Sequence, residues 1–266
     1  EIFAGYSWMS RYNISSYFDQ LIPEFLRVPL YKLFIQDKST IQYKTGYFNK
    51  LKRLILDANS SLEDGFLRRT TFDKGIMDRI LIHKNKDFDA CDIQKDYFMK
   101  ARVKDIREKM LYVDTMMYLP DVCLFKVDRM SMANSLEVRV PLLDHKLVEF
   151  AAKIPFELKL KGWTTKYILK KTMAKRLPSK ILHKPKWGFS IPVDSWLRED
   201  LLAFVETLLL DNKTKNRGFF NLKVVKEILR EHKSGKSNLG YVIWALLIFE
   251  LWLRIYLDKD TLQCPT

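Results

Sequence analysis

At 266 residues and 47% hydrophobic, the chain has enough apolar material for a packed core, which excludes disorder throughout. Its 46 Lys and Arg stand against 32 Asp and Glu, a net charge of +14, and raise the question of an anionic partner. With only 9 Gly and 9 Pro there is no Gly/Ser tract where a flexible boundary would fall, so residues 1–266 read as a single compact helical unit.

Period-2 alternation is hardly seen, whereas apolar residues recur at spacings of three and four, so the fold reads as mostly α. In chain order the pattern predicts helices over Phe48 to Asn59, Lys95 to Tyr118, Lys146 to Ala152, Thr165 to Arg176, Ser195 to Leu210, Leu222 to Lys233 and Tyr241 to Leu257. Thr164, Ser179 and Asp194 each precede a predicted helix and offer a side-chain oxygen as its cap. The most apolar run, Leu239 to Leu257, contains Glu250 and Arg254 four residues apart, where they share a helical face and can pair. That argues for a buried helix with one polar edge rather than a membrane span, which needs about 20 apolar residues.

Cys91, Cys123 and Cys264 are odd in number and far apart. They suit a reducing cytoplasm better than a disulfide framework, and their spacing offers no zinc site. The chain opens EIFAGYSWMSRY, with no initiator Met, basic leader or cleavage site, and a longer polypeptide extending upstream is expected.

Three segments carry chemistry. In HKPKWGFSIPVDSWLR, His183 to Arg198, Pro185, Gly188 and Pro192 fix a loop between two predicted helices. No acidic residue occurs between Glu157 and Asp194, while Lys159, Lys161, Lys166, Lys170, Lys171, Lys175, Arg176, Lys180, Lys184 and Lys186 all fall there. A lysine on a rigid loop at the end of such a field suits phosphate oxygens, because a point charge needs a fixed position but no planar match. Lys186 is the candidate, and a solvated surface lysine is the ordinary alternative.

YLPDVCLFKVDRMSMANSLEVRVPLLD, Tyr118 to Asp144, embeds Asp121, Lys126, Asp128, Arg129, Glu137, Arg139 and Asp144 in an apolar run. Buried charges are paired or functional. The alternating signs predict an internal salt-bridge network, with a functional site as the other reading. EIFAGY, Glu1 to Tyr6, is nearly mute alone.

Together these segments resemble the glutamine-hydrolysing asparagine synthetase family. That family carries motifs of the forms GGDELFGGY, KVDRxSMAxSLExRxPxLD and KxGFxxP and a C-terminal LELWLR helix. Here Glu1 to Tyr6 match ELFGGY with Ala4 in place of Gly, and Lys126 to Asp144 match the central motif. Lys186 to Pro192 read KWGFSIP, and Phe249 to Arg254 read FELWLR.

The resemblance implies the helical C-terminal part of an α/β adenine-nucleotide α-hydrolase-like synthetase domain, an ATP pyrophosphatase fold. It implies that ATP and Mg²⁺ are used to adenylate a carboxylate, aspartate in the first instance. Ammonia from a separate N-terminal glutaminase domain, which hydrolyses glutamine, then displaces AMP. It assigns Lys186 to the phosphates, Glu1 to the acidic motif beside Mg²⁺ and pyrophosphate, and Tyr6 to the closure of that motif over the acyl-adenylate. Asp121, Lys126 and Arg129 resemble residues bordering the pocket. Glu137 resembles a carboxylate able to take a proton from ammonia, and Arg139 and Leu143 resemble residues of the tunnel or pocket wall.

Two departures stand beside the match. No SGGxDS phosphate loop occurs in these residues, so the 266-residue segment alone is expected to be inactive. Ala4 replaces a Gly, a small change that shifts the turn if the backbone there needs a positive φ. Related enzymes that use acyl-adenylate chemistry on a sugar acid, peptide or β-lactam precursor are an alternative, and the resemblance leaves a homodimer open. A basic nucleic-acid-binding or interaction module is a second alternative, but no reader motif supports it. The reading therefore carries no nucleic acid and no membrane.

Overall fold

The computed structural model describes residues 1–6, 8–10, 61–70, 74–84, 89–184 and 191–259. They are mostly helical, and the strand pairing among them is limited to two isolated antiparallel bridges, Leu81 with Phe220 and Lys161 with Thr164. The helix predicted over Phe48 to Asn59 lies outside the described residues, as do Lys186 and Cys264. The described residues fall into two compact units, the first holding 1–6, 8–10, 61–67 and 89–184 and the second 68–70, 74–84 and 191–259. No Gly/Ser linker marks the division.

In the first unit the predicted helix Lys95 to Tyr118 is broken. One helix runs Ala90–Lys100 and the next Ile106–Val113. The break is local chemistry: Ala101 is extended, and the Asp105 carboxylate accepts from the backbone N–H of Arg107 at 2.8 Å, starting a new helix. Asp105 also holds the Arg107 guanidinium, which reaches Glu157 at 2.6 Å and lies 4.5 Å from the centre of the Phe156 ring. Burial works against the Asp105 carboxylate, but Arg107 outweighs it and holds its pKa below the usual range.

The chain then continues as a π-helix over Asp114–Leu124, with Pro120 inside it, and as an α-helix over Phe125–Met132. Pro120 has no N–H, and its ring crowds the preceding turn. A widened turn accommodates both problems, and the Phe125 N–H reaches back five residues to the Pro120 carbonyl.

The segment Glu1 to Tyr6 divides its side chains between two clusters. Phe3 packs with Ala151 and Ile154, and Ala4 packs with Met9, Leu111, Phe156 and Leu160. A third cluster joins Phe66, Leu67, Phe98, Met110 and Val113, with Trp8 against it. Ala4 is fully buried at φ 51, the left-handed conformation expected of a glycine there.

Other caps differ from the sequence reading. Helix His145–Lys153 is capped by Asp144, which accepts from the N–H of Lys146 and Leu147. Thr164 is spent on the bridge to Lys161, so the helix predicted from Thr165 to Arg176 runs only Tyr167–Met173 and starts after Lys166. Ser179 is the first residue of helix Ser179–Leu182 rather than its cap.

The second unit is built on one large core that includes Ile76, Ile80, Leu197, Val205, Leu209, Val225, Ile228, Val242, Ile243 and Leu246. Leu222–Lys233 forms as predicted, capped by Asn221. The predicted helix Ser195 to Leu210 is two helices, Val193–Trp196 and Leu202–Leu210. Asp194 therefore sits inside the first instead of capping it, and its carboxylate accepts from the Asn238 amide at 2.8 Å. His232 is fully buried; its Nδ1 accepts from the Leu239 N–H at 3.2 Å and its Nε2 meets the Asp194 carbonyl at 3.1 Å. Those partners require a neutral ring with the proton on Nε2. Burial, then the nearby Arg198 charge, push the His232 pKa below its ordinary value.

Helix Gly240–Trp252 and its π-turn Leu253–Leu257 are together long and apolar enough to cross a membrane by length and composition alone. Their charges are nevertheless engaged inside the unit. Arg254 donates to Glu250 at 2.8 Å, to Asp211 at 2.7 Å and to the Leu208 carbonyl at 3.1 Å. Arg217 pairs with Asp258 and lies 3.4 Å from Glu250, and Lys213 reaches Asp258 at 2.9 Å. The pairing of Glu250 with Arg254 read from their spacing is thus present, as part of a larger network.

Candidate functional site

Glu1, Tyr6 and the π-helix meet in the first unit. The turn that bonds the Ala4 N–H to the Glu1 carbonyl returns the chain, so that the Tyr6 hydroxyl donates to Glu1 Oε1. The Cys123 thiol, 122 positions along the chain, approaches the same oxygen at 3.7 Å. The Tyr6 ring stacks on Trp8 at 6.5 Å between centres and meets Tyr118 edge-on at 6.0 Å. An α-helical register would turn Tyr118 and Cys123 by different amounts; the wider π turn sets both beside Glu1 and Tyr6.

Burial, and then the Glu1 carboxylate, push the Tyr6 hydroxyl far above the normal phenol range. Burial and Glu1 likewise raise the Cys123 thiol. Both are therefore protonated donors at neutral pH, and both aim at one oxygen of one carboxylate. The arrangement orients Glu1 and makes Tyr6 a donor rather than a base.

The remaining predicted residues are placed differently. Asp121 is exposed on the π-helix, and Lys126 and Arg129 are exposed on the helix that follows, with the Arg129 guanidinium 5.3 Å from the Phe125 ring centre. Glu137 and Arg139 lie on the extended stretch after that helix and pair with each other in solvent, their side chains 65% and 87% exposed. Leu143 is half-buried on a 3₁₀ turn, Pro141–Leu143.

The internal salt-bridge network expected for this segment is not formed. Its charges face water, because the helix and the extended stretch contribute no buried side chain to a core. Many of its apolar residues are exposed as well, Phe125, Met130, Met132, Leu136 and Val138 among them.

Among the described residues no group of three or more His, Cys, Asp and Glu is placed to hold a metal. A single oriented carboxylate nevertheless suits Mg²⁺, which is usually held by one or two carboxylates together with substrate phosphates. The hollow lined by Trp8, Met9, Arg107, Met110 and Phe156 has a volume of about 10 Å³, far below the roughly 300 Å³ at which ligand pockets begin.

Tyr118 and Cys123 were missed as site residues. The available signal was Pro120, a proline inside an apolar helical pattern that has to widen or break the helix.

A family model described as asparagine synthase matches residues 1–254. The chain is 32% identical over 209 residues to asparagine synthetase [glutamine-hydrolyzing] 1 of Bacillus subtilis, covering 78% of this chain and 33% of that protein. It is 31% identical to a putative asparagine synthetase [glutamine-hydrolyzing] of Mycobacterium bovis, over 65% of this chain and 26% of the relative. To the asparagine synthetase [glutamine-hydrolyzing] of Gallus gallus it is 30% identical over 60% of this chain and 31% of that protein. The chain thus matches about a third or less of the length of these relatives, and no solved structure matches it. The family model covers nearly the whole chain, and the chain belongs to the asparagine synthase family.

Proposed function

We propose that the chain is the helical C-terminal part of an ATP pyrophosphatase-type α/β synthetase domain in a cytoplasmic ligase. The ligase adenylates aspartate and amidates it with glutamine-derived ammonia, giving asparagine, AMP and pyrophosphate. The observation that carries the reading is the meeting of Glu1 and Tyr6 with Cys123, three residues ahead of the central motif. One family motif and a residue just ahead of a second, 122 positions along the chain, converge on one oriented carboxylate.

Glu1 is the group here suited to Mg²⁺ and the phosphates, and bound Mg²⁺ would supply charge stabilisation for pyrophosphate departure. Tyr6, kept protonated by burial and Glu1, holds that carboxylate and closes the edge of the acyl-adenylate pocket. Lys186 is the phosphate-directed lysine of the loop. Asp121, Lys126 and Arg129, which flank Cys123 in the chain, would border the pocket. Glu137 would take the ammonia proton, with Arg139 paired to it, and Leu143 would belong to the tunnel or pocket wall.

Exposed apolar residues along Phe125 to Phe150 support a surface completed by further polypeptide, since patches of this kind mark interaction sites. That polypeptide would carry the phosphate cradle and the glutaminase.

The test is aspartate-dependent exchange of labelled pyrophosphate into ATP by the entire polypeptide that the gene encodes. Exchange is expected with aspartate, and Lys186→Ala should abolish it while glutamine hydrolysis persists. Equal loss of both activities in that variant would remove Lys186 from its role, and exchange driven by a different carboxylate would replace aspartate as the substrate.

A further inference from the structure

The outward side of the C-terminal helix serves neither the core of the second unit nor the site described above. Over Gly240–Leu257 the only charged residues, Glu250 and Arg254, are both buried, so the exposed side carries no charge. Residues on that side recur at Tyr241, Ala245, Ile248, Trp252 and Ile255, alternating steps of four and three that match the seam between paired helices. A helix that is apolar all round is normally covered on every side, yet Tyr241, Ile248 and Trp252 are 61%, 45% and 47% exposed.

The aromatic rings of this face are already ordered. Phe249 and Trp252 stack 6.5 Å apart between centres, and Tyr256 continues the row 5.8 Å from Trp252. Phe219 and Phe220 brace Phe249 edge-on at 5.8 Å and 5.9 Å. A row fixed before a partner arrives lowers the ordering cost of association, and Trp and Tyr are the residue types that most often dominate interface energetics. With roughly 150–250 Å² in each aromatic side chain, the exposed face offers on the order of 700 Å². That is close to the roughly 800 Å² each partner contributes to a standard stable interface.

The face is also its own complement. Laid antiparallel on an identical helix, about a two-fold axis between Ile248 and Phe249, it sets Tyr241 opposite Tyr256, Ala245 opposite Trp252 and Ile248 opposite Phe249. The small Ala245 leaves room for the large Trp252 ring, once on each side of the axis, as an isologous interface requires. No charge on the face repels its own copy. The exposed apolar surface assigned above to further polypeptide lies in the first unit instead.

We propose that this face is a homodimer interface, in which the C-terminal helix packs antiparallel against the same helix of a second copy and each Trp252 ring sits over the other copy's Ala245. The proposal is independent of the ligase chemistry.

The test is sedimentation equilibrium of the entire encoded polypeptide over a wide concentration series. The wild type is expected to dimerise. Trp252→Glu should weaken association about a hundredfold, as expected for a central aromatic anchor, and leave the circular dichroism spectrum unchanged. Ala245→Lys should also weaken it, whereas the double variant Ala245→Lys with Trp252→Glu should recover about tenfold, since each new lysine faces a new glutamate across the axis.

A monomeric wild type overturns the proposal, and its flotation with phosphatidylglycerol vesicles would give the face to a membrane instead. Dimerisation of Trp252→Glu as tight as that of the wild type overturns it too, and a double variant no tighter than the singles overturns the antiparallel pairing. If Trp252→Glu does not fold, oxidised Ile248→Cys decides. A disulfide between two copies at position 248, identified by peptide mass, upholds the interface; its absence assigns the face to polypeptide of the same copy.

Discussion

The C-terminal network of the second unit and the central motif of the first both mix charged and apolar residues, and the two resolve the mixture in opposite ways. Glu250 and Arg254 are buried among leucines and are tied to Asp211, Thr214 and Arg217. In the central motif, Glu137 and Arg139 pair in solvent while Met130, Leu136 and Val138 beside them are also exposed. An ion network closed inside one unit ties its helices to each other. A segment that leaves both charges and apolar groups at the surface contributes little to the packing of its own unit, and exposed apolar patches mark interaction sites.

The largest effect should come from opening the closed network. Arg254→Met leaves the buried Glu250 carboxylate without its main partner and is expected to cost roughly 3–5 kcal/mol in urea denaturation. The double variant Glu250→Leu with Arg254→Met should cost less than the single one. If the double variant costs more, the network stabilises by net attraction rather than by mutual neutralisation.

Next comes His232. Replacement by Phe leaves the Leu239 N–H and the Asp194 carbonyl without their side-chain partner, and a loss of about 1–3 kcal/mol is expected. Because burial and Arg198 lower the folded pKa, the unfolded chain binds the proton first. The contribution is complete above about pH 6.5 and declines as pH falls below it. Urea midpoints between pH 7.5 and 5 should show this slope in the wild type and a shallower one in His232→Phe; parallel slopes would assign the acid sensitivity to other groups.

A smaller effect is expected at the edge of the site. Ala4→Gly relieves a left-handed alanine, worth about 1–2 kcal/mol, but removes a buried methyl worth about 0.8 kcal/mol. The melting midpoint should correspond to a change within about 1 kcal/mol. A large loss would mean that the methyl is essential to the cluster with Met9 and Leu111.

The smallest stability change belongs to the exposed pair. Arg139→Ala should alter unfolding by less than about 0.5 kcal/mol, yet lower amide formation by the entire encoded polypeptide. A variant with normal activity would reduce the pair to surface chemistry, and a severe loss of stability would contradict its exposure.

Much of the second unit was readable from local pattern. The apolar spacing defined Leu222–Lys233, and the four-residue spacing of Glu250 and Arg254 announced their contact, because both depend on neighbours within a turn or two. The linked motifs also indicated the family. The helix breaks were less legible: Asp105 looks like an ordinary charged position until its carboxylate is seen capping Arg107.

The left-handed turn at Ala4 was anticipated from a missing glycine, whereas the π register around Pro120 was not. Sequence determined the helical character, the family and the residues worth testing, since propensity and motif spacing are local properties. Tertiary structure alone decided that Cys123 and Tyr118 face Glu1 and Tyr6 and that the charges of the central motif face water. Each depends on contacts between segments far apart in the chain, which no local spacing encodes.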